Sequence, residues 1–514
     1  MRRPVVYLIG AGPGDPGLMT VHGLESLRAA DTVVYDHLVP RRLLTYARAD
    51  AELIDVGTAS PTPMAQEAIC YLLAEKAREG KMVARLKWGD PFVFDRGGEE
   101  ALFLHEQRVP FEVVPGLPAA IAVPAYAGVP VTYPGGGNTI TLIRGHEDES
   151  RTLPVVDWAS LARVGGTVVC YAGAHQLPLM LNALRANGWP ADDQAVVVYG
   201  GTLPHQETVS GTIAELLDNL REHPRRAPAT LVVGRVVGLR PHLRWFDARP
   251  LFGRRVLVTR PREQAVEFVN RLTLLGADAI EAPLIRIEPP EDIGPLRDAA
   301  ATADTFDWIV FTSTNAVNAF MKALLEGDGD VRTLRGPRLC AVGTGTTEKL
   351  AHYGIKVDLV PGEFRSEALV SAIKAAGRVD GARVLLPRAN IGREMVADQL
   401  RQAGAVVTDV VAYRTILNDT PRPGDPDVYK LLLEGRIDVV TFASPSAARS
   451  FVNIYGAEAA ADLLTHTVVA IIGPATAEVT RHLGLPVTLQ ASTHTIAGLV
   501  DAIAAHYAAT RTTN

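Results

Sequence analysis

The chain has 514 residues, 47% of them hydrophobic and 21% charged, with a formal net charge of −6. This balance excludes a disordered or collagen-like chain, and the acidic sign argues against a general nucleic-acid binder. No uninterrupted apolar run of ~18 residues offers a membrane span, and the length fits about three or four compact units. Only eight of the 51 basic residues are lysines. Arginine grips carboxylates at two points and would suit a polycarboxylate ligand, although codon usage accounts for the same bias. Cys70, Cys170 and Cys340 lie far apart with no CxxC pair. A reduced, cytoplasmic compartment without a structural metal is therefore expected. The opening MRRPVVYLIGAGPGD reads as a first strand and not as a signal peptide.

Val5–Ile9 is an apolar run of buried-strand type, followed by the turn Gly10-Ala11-Gly12-Pro13-Gly14-Asp15. Asp15 breaks the dinucleotide fingerprint, which needs a small residue there. A helix from about Thr20 to Ala29 and a strand Thr32–Tyr35 follow. Asp36 then stands at the carboxyl end of a parallel strand, a place for a site residue or equally for a turn cap. Leu53–Val56 reads as a strand, Gln66–Glu79 as a helix, and Met82–Ala84 as the end of another strand. Phe111–Val114 continues the alternation, which predicts a parallel sheet. A second unit begins near Asn138, with strands predicted at Thr139–Ile143, Thr167–Tyr171, Ala195–Tyr199 and Thr230–Val237.

The most informative stretch is Arg85–Glu100, RLKWGDPFVFDRGGEE. Gly89 permits close backbone approach and Pro91 ends the strand. Asp90 is suited to a ribose hydroxyl or a cationic ligand. Arg96 and Glu99 share a face if a helix starts at Gly97. With the Gly-Pro-Gly-Asp-Pro-Gly opening, PAYAGVPVT (Pro124–Thr132), Gly200-Gly201-Thr202 and PATLVVGRVVGL (Pro228–Leu239), this stretch resembles the uroporphyrinogen-III C-methyltransferases over residues 3 to about 246. The chain departs from that pattern at Thr58 (commonly Lys), Trp88, Pro118-Ala119, Arg144-Gly145-His146 and Tyr171-Ala172-Gly173. These positions fall where cofactor and substrate would lie.

Arg240–Arg254 mixes proline, glycine and charge and reads as a short linker. Behind it an internal repeat appears. VLVTRP (Val256–Pro261) answers VLLPRA (Val384–Ala389), and Gly276-Ala277 answers Gly404-Ala405. Phe306–Phe320 answers Ile437–Phe451, and Ala341–Ile355 answers Ala470–Leu485. A period of about 130 residues is too long for a solenoid and implies two similar α/β subdomains. Pro283–Glu288 and Val410–Thr415 read as paired strands connecting them. Strands that end in Ser, Thr or Gly turns before helices expose N–H groups where carboxylates bind. These motifs resemble uroporphyrinogen-III synthase over residues 253 to about 506.

Together the resemblances imply an α/β protein. A two-subdomain tetrapyrrole methyltransferase fold spans residues 1–247, with subdomains about 1–135 and 136–247. A linker, 248–253, joins it to a two-lobed synthase fold at 254–508, built from two flavodoxin-like lobes (about 254–284 plus 416–508, and about 289–410). The synthase half is expected to close hydroxymethylbilane to uroporphyrinogen III without a cofactor, using Ser313, Ser444 and Gly473 to bind substrate and Tyr413 and Thr476 in catalysis. N-capping explains Ser313, Ser444 and Thr476 equally well. The methyltransferase half is expected to bind S-adenosylmethionine through Gly12, Pro13, Gly14, Gly89, Asp90, Val93, Pro118, Ala119, Ala172 and Gly201. Asp36 is the implied base, with Arg96 and Glu99 orienting an acetate or propionate arm. No metal, nucleic acid or membrane partner is expected, and a homodimer through the methyltransferase half is. The departures leave open a methyltransferase half that has lost catalysis, and a non-catalytic tetrapyrrole-binding module stands as a third reading.

Overall fold

The apolar runs of the front half assemble into a parallel sheet covered on both faces. A computed structural model describes residues 5–57, 63–136, 138–145, 153–225, 229–361, 366–390, 395–418 and 426–511. The first sheet contains β1 (Val6–Gly10), β2 (Thr32–Tyr35), β3 (Glu52–Asp55), β4 (Val83–Lys87) and β5 (Phe111–Val114), in the order β3-β2-β4-β1-β5. All its pairings are parallel. Alternate residues feed two cores. Val6, Leu8 and Val83 meet Ile69, Leu73 and Leu104, whereas Ile9, Ala84 and Leu86 meet Leu27 and Leu43.

The predicted end of β4 at Ala84 is corrected: the strand runs on to Lys87, with Arg85 and Lys87 buried inside the sheet. Period-two alternation explains their direction. Val83, Arg85 and Lys87 share one face, and there they find charged partners.

The second sheet holds β6 (Ile140–Arg144), β7 (Thr167–Ala172), β8 (Gln194–Tyr199), β9 (Glu207–Thr212) and β10 (Ala229–Val233), in the order β6-β7-β10-β8-β9. Its last predicted strand is shorter than expected, because Gly234 (φ 140°) turns the chain into a 3-10 helix at Arg235–Leu239. The strand β9 was not predicted. It is a half-exposed edge strand of sequence ETVSGT, whose polarity hides it.

The presumed linker is a packed joint. Arg240 pairs with Asp247 at 2.5 Å, Phe246 is buried against Tyr126, and the Arg249 guanidinium lies 4.7 Å from the Trp245 ring centroid. Leu251 N–H then donates to the Leu275 carbonyl at 2.9 Å, tying the joint to the end of the helix Arg262–Leu274. The same helix receives Arg42 from the front half, which donates to Asn270 Oδ1 at 3.1 Å and to Thr273 Oγ1 at 3.4 Å.

The rear strands are β11 (Arg255–Val258), β12 (Asp278–Glu281), β13 (Ile285–Glu288), β14 (Trp308–Phe311), β15 (Arg338–Ala341), β16 (Arg383–Ala389), β17 (Val406–Leu417), β18 (Val439–Phe442), β19 (Val468–Ile471) and β20 (Leu489–Gln490). They form two sheets, β12-β11-β18-β19-β20 and β13-β17-β16-β14-β15. The first has the flavodoxin-like order 2-1-3-4-5. The second repeats 2-1-3-4 and adds β13 antiparallel to β17, the pairing of connecting strands expected from sequence. β17 therefore serves twice, parallel to β16 along its first part and antiparallel to β13 along its last. The repeat is visible in detail: Gly276 and Gly404 have φ of 92° and 91°, and each precedes a buried alanine.

Two buried threonines lock β11 to β18. Thr259 Oγ1 donates to the Thr441 carbonyl at 2.6 Å, and Thr441 Oγ1 donates to the Leu257 carbonyl at 2.8 Å. Thr441→Val keeps the shape and removes one of these bonds. It is expected to lower the stability of the rear half by about 0.5–1.5 kcal/mol, read from the urea midpoint.

Candidate functional sites

In the front half the carboxyl ends of β1, β4 and β5 converge, as expected for a ligand site in a parallel sheet. Three glycine backbones cross there in contact. A Cβ on Gly10 would lie 2.5 Å from Gly116 Cα and 2.7 Å from the Gly89 carbonyl oxygen. Gly12 (φ 74°) and Gly89 (φ 72°) exchange backbone hydrogen bonds of 3.2 and 2.9 Å, so the turns after β1 and β4 are bridged. Asp90 fastens the third turn: Oδ1 accepts from Phe92 N–H at 2.8 Å and Oδ2 from Gly116 N–H at 2.9 Å.

The second sheet closes on these turns from the other side. Trp88 Nε1 donates to the Pro13 carbonyl at 2.9 Å. The rings of Trp88 and Phe94 meet Tyr171 edge-on, with centroids 6.3 and 5.5 Å apart. The Tyr171 hydroxyl accepts from Ala120 N–H at 2.9 Å, satisfying a free donor in the first turn of the helix Ala119–Tyr126, whose N-cap is Pro118. Burial raises the Tyr171 phenol above its ordinary value, so it stays neutral. Asp15 N–H donates to Thr202 Oγ1 at 3.0 Å, which sets Gly14 against Thr202 and Leu203, while Gly201 packs on Val123; Tyr126 donates to Asp15 Oδ2 at 2.8 Å. Ala172 is buried at the end of β7, and Val93 is half-buried beside Phe94. Thr58 and His146 lie outside the described residues.

Beneath Asp36 lies a charge cluster that sequence reasoning missed. Arg85 Nη2 donates to Asp36 Oδ1 at 2.7 Å, and Arg85 Nε to Glu100 Oε1 at 3.3 Å. Lys87 Nζ lies 3.0 Å from both Glu100 Oε1 and Asp95 Oδ1, and Gln66 donates to Glu100 at 3.0 Å. Burial alone would raise the Glu100 carboxyl, but Arg85 and Lys87 hold it below the ordinary carboxylate value. Asp95 goes the other way: its burial outweighs Lys87 and raises it. The legible signal was R-x-K within an apolar strand, since charges inside a sheet covered on both faces must find partners. Arg96 and Glu99, by contrast, form an exposed bidentate pair at 2.9 and 2.6 Å in the first turn of the helix Gly97–Glu106.

In the rear half Ser313 and Ser444 occupy equivalent places. Each is an extended N-cap, with φ of −158° and −162°, on the helices Thr314–Glu326 and Pro445–Tyr455. Their hydroxyls accept from Ala316 and Ala447 N–H groups at 3.1 and 3.3 Å. Ser313 also meets the Tyr413 hydroxyl at 3.1 Å, so these two expected site residues are together. Gly473 is the N-cap of the helix Pro474–His482, beside His494. Thr476 lies in the first turn of that helix but is only 3% exposed, buried among core residues. The two lobes touch through Gln264 Nε2, which donates to Asn315 Oδ1 at 2.7 Å. Among the described residues no group of three His, Cys, Asp or Glu is placed to hold a metal, and no helix is long and apolar enough to cross a membrane.

Comparison with known proteins matches residues 5–217 to the Tetrapyrrole (Corrin/Porphyrin) Methylases and residues 266–501 to Uroporphyrinogen-III synthase HemD. The chain is 35% identical to the porphyrin biosynthesis protein HemD of Ruminiclostridium josui, over 98% of each chain. It is 35% identical to a uroporphyrinogen-III C-methyltransferase of Bacillus subtilis over 72% of this chain and 76% of the relative. Its front half is 44% identical to an S-adenosyl-L-methionine-dependent uroporphyrinogen III methyltransferase of Methanosarcina barkeri, over 46% of this chain and 92% of that one. Two enzyme families thus lie in tandem on the four sheets, and the chain belongs to the bifunctional proteins of porphyrin biosynthesis that fuse a uroporphyrinogen-III C-methyltransferase to a uroporphyrinogen-III synthase.

Proposed function

We propose that residues 254–508 form the domain that cyclises hydroxymethylbilane to uroporphyrinogen III, and that residues 1–247 form the domain that methylates this product to precorrin-2. The observation that carries this reading is the full-length match, in which both enzyme units occur in one chain in the same order.

The front site fits S-adenosylmethionine on two counts. Glycines at the crossing of three turns bring their backbones together at the carboxyl end of the sheet, and the half-buried Val93 with the Trp88–Phe94–Tyr171 group supplies apolar surface for a flat ring. Gly12–Gly14, Gly89, Asp90, Val93, Pro118, Ala119, Ala172 and Gly201 would hold it. When bound, S-adenosylmethionine supplies a methyl group on a sulfonium. Asp36, held by Arg85, takes the proton that the methylated pyrrole carbon releases. Arg96 and Glu99 orient a carboxylate arm of the tetrapyrrole.

The rear half works by holding the two ends of a reactive chain together, a proximity effect with a ceiling of about 7–11 kcal/mol. The Tyr413 hydroxyl, fixed by Ser313, donates to the departing hydroxyl, while Ser444 and the Gly473 turn bind substrate. Thr476 serves from inside the helix start by shaping that turn. The same reading includes a homodimer through the methyltransferase half, which sedimentation velocity tests.

The deciding experiment incubates the chain with hydroxymethylbilane, with and without S-adenosylmethionine, and follows product spectra. Isomer III without the cofactor and precorrin-2 with it are expected. Isomer III alone in both arms would favour a front half that has lost catalysis.

A further inference from the structure

Arg260 stands two residues beyond β11, at the carboxyl edge where the strand order of its sheet reverses between β11 and β18. The crossed hydrogen bonds of Thr259 and Thr441 fix the two strand ends there. Across from Arg260 begins the Ser444-capped helix, and its own neighbour Gln264 reaches the opposite lobe at Asn315. Arg260 is partly buried, and its one side-chain hydrogen bond among the described residues is to the neutral Gln264, from Nη2 to Oε1 at 3.1 Å. The charged group that acts on it is Glu267, which is itself bonded to Arg271 at 2.8 Å. Burial pushes the Arg260 guanidinium below its ordinary value, as expected for a cation taken from water with no carboxylate bonded to it among the described residues. This contrasts with the other partly buried arginines of the rear sheets: Arg255 has Asp278, Arg388 has Asp409, and Arg414 has Glu288.

A guanidinium has five N–H donors in a planar fork that matches a carboxylate at two points. Arg260 spends one of them on Gln264. We propose that Arg260 is the specificity-determining anchor of the rear half, taking one carboxylate arm of the linear tetrapyrrole at the carboxyl edge of β11 and setting its place between the lobes. This rests on the synthase reading and adds a substrate-contacting residue to it. One arm fixed at the carboxyl edge of β11 leaves the two ends of the chain to be brought together by the opposite lobe, across the Gln264–Asn315 contact.

The test compares the full chain with Arg260→Gln, Arg260→Lys and Gln264→Ala, using hydroxymethylbilane and separating isomers I and III. Loss of a charged two-point contact is expected to raise KM for Arg260→Gln by about 10- to 100-fold, with kcat changed less than about threefold. Arg260→Lys is expected to recover part of this, since it keeps the charge and loses the fork. Gln264→Ala removes the group that orients the guanidinium but keeps its charge and fork, and is expected to raise KM by less than Arg260→Gln does. Methyl transfer from preformed uroporphyrinogen III controls for the front half. Should Arg260→Gln lose its rear unfolding transition, Arg260→Lys carries the same comparison. A wild-type chain that makes isomer III, with Arg260 variants of unchanged KM or a Gln264→Ala defect equal to theirs, overturns the inference alone. A wild-type chain that yields only isomer I overturns the synthase reading and the inference together.

Discussion

Glu100→Ala is expected to destabilise the front half by about 3–5 kcal/mol, lowering its unfolding midpoint while leaving the rear transition in place. The carboxylate is fully buried and stands between Arg85 and Lys87, each 1% exposed. Removing it strands two cations inside a sheet. Asp36 and Asp95 remain, but each is 20–25% exposed and bonds one of the two cations from the edge. Glu100→Gln keeps the volume and one acceptor and is expected to lose less. The pH dependence has a definite sign. An unfolded glutamate titrates near ~4.3, and Glu100 is held lower in the folded chain, so its contribution is complete above that pH and disappears as pH falls through the folded value. Asp95 is raised, so its protonation on acidification relieves a burial penalty and offsets part of the loss. The gap between wild type and Glu100→Ala should therefore narrow below about pH 4, as thermal unfolding across a pH series will register.

Gly116→Ala is expected to remove most S-adenosylmethionine binding and leave the synthase reaction untouched. The new methyl carbon would lie 2.6 Å from Gly10 Cα and closer still to the Gly89 carbonyl oxygen. Both neighbours are backbone, so no rotamer change gives relief, and the turns after β1, β4 and β5 must separate. Overpacking of this kind costs about 1–3 kcal/mol, and the displaced turns are those assigned to the cofactor, so calorimetry should show affinity lowered by about tenfold or more. Gly98→Ala is the control. Its Cβ would meet nothing within 4 Å, at a helix position where alanine is favoured. A Gly116→Ala protein with unchanged affinity would show that the crossing of three glycines has no part in the site.

Much of this architecture was legible because burial and periodicity coincide. Val5–Ile9, Thr32–Tyr35 and Phe111–Val114 are apolar strands of a sheet covered on both faces, and the paired Ser313 and Ser444 follow homologous strands in a repeated unit. Legibility failed where residue character and burial diverge. Arg85 and Lys87 look like the end of a strand because they are charged, yet a glutamate 13 to 15 positions away allows them inside. β9 looks like a loop because only one face is covered. Arg240–Arg254 looks like a linker because Pro, Gly and Arg are common in linkers, but Trp245, Phe246 and Phe252 give it aromatic contacts of its own. Thr476 was placed by motif at a helix start, correctly, but its side chain faces the core, which the motif alone does not specify.

The rear half has an order of manufacture written into its topology. β11 pairs with β18, and the partners Val256 and Val439 are 183 positions apart, with the whole second lobe between them. At about 5–20 residues per second, a ribosome needs about 9–37 s to deliver the second of these strands after the first. The inserted lobe, whose parallel strands β14 to β17 are local to one stretch, emerges complete in that interval. β11, its helix and β12 must wait with an open strand edge, the kind of surface that recruits wrong partners. The joint answers this need. Leu251, Arg249 and Arg42 hold the helix Arg262–Leu274 against a front half that has already left the tunnel, so the waiting segment has a folded neighbour from the start. Fusion of the two enzymes thus gives the synthase a nursery surface that a free-standing copy would lack.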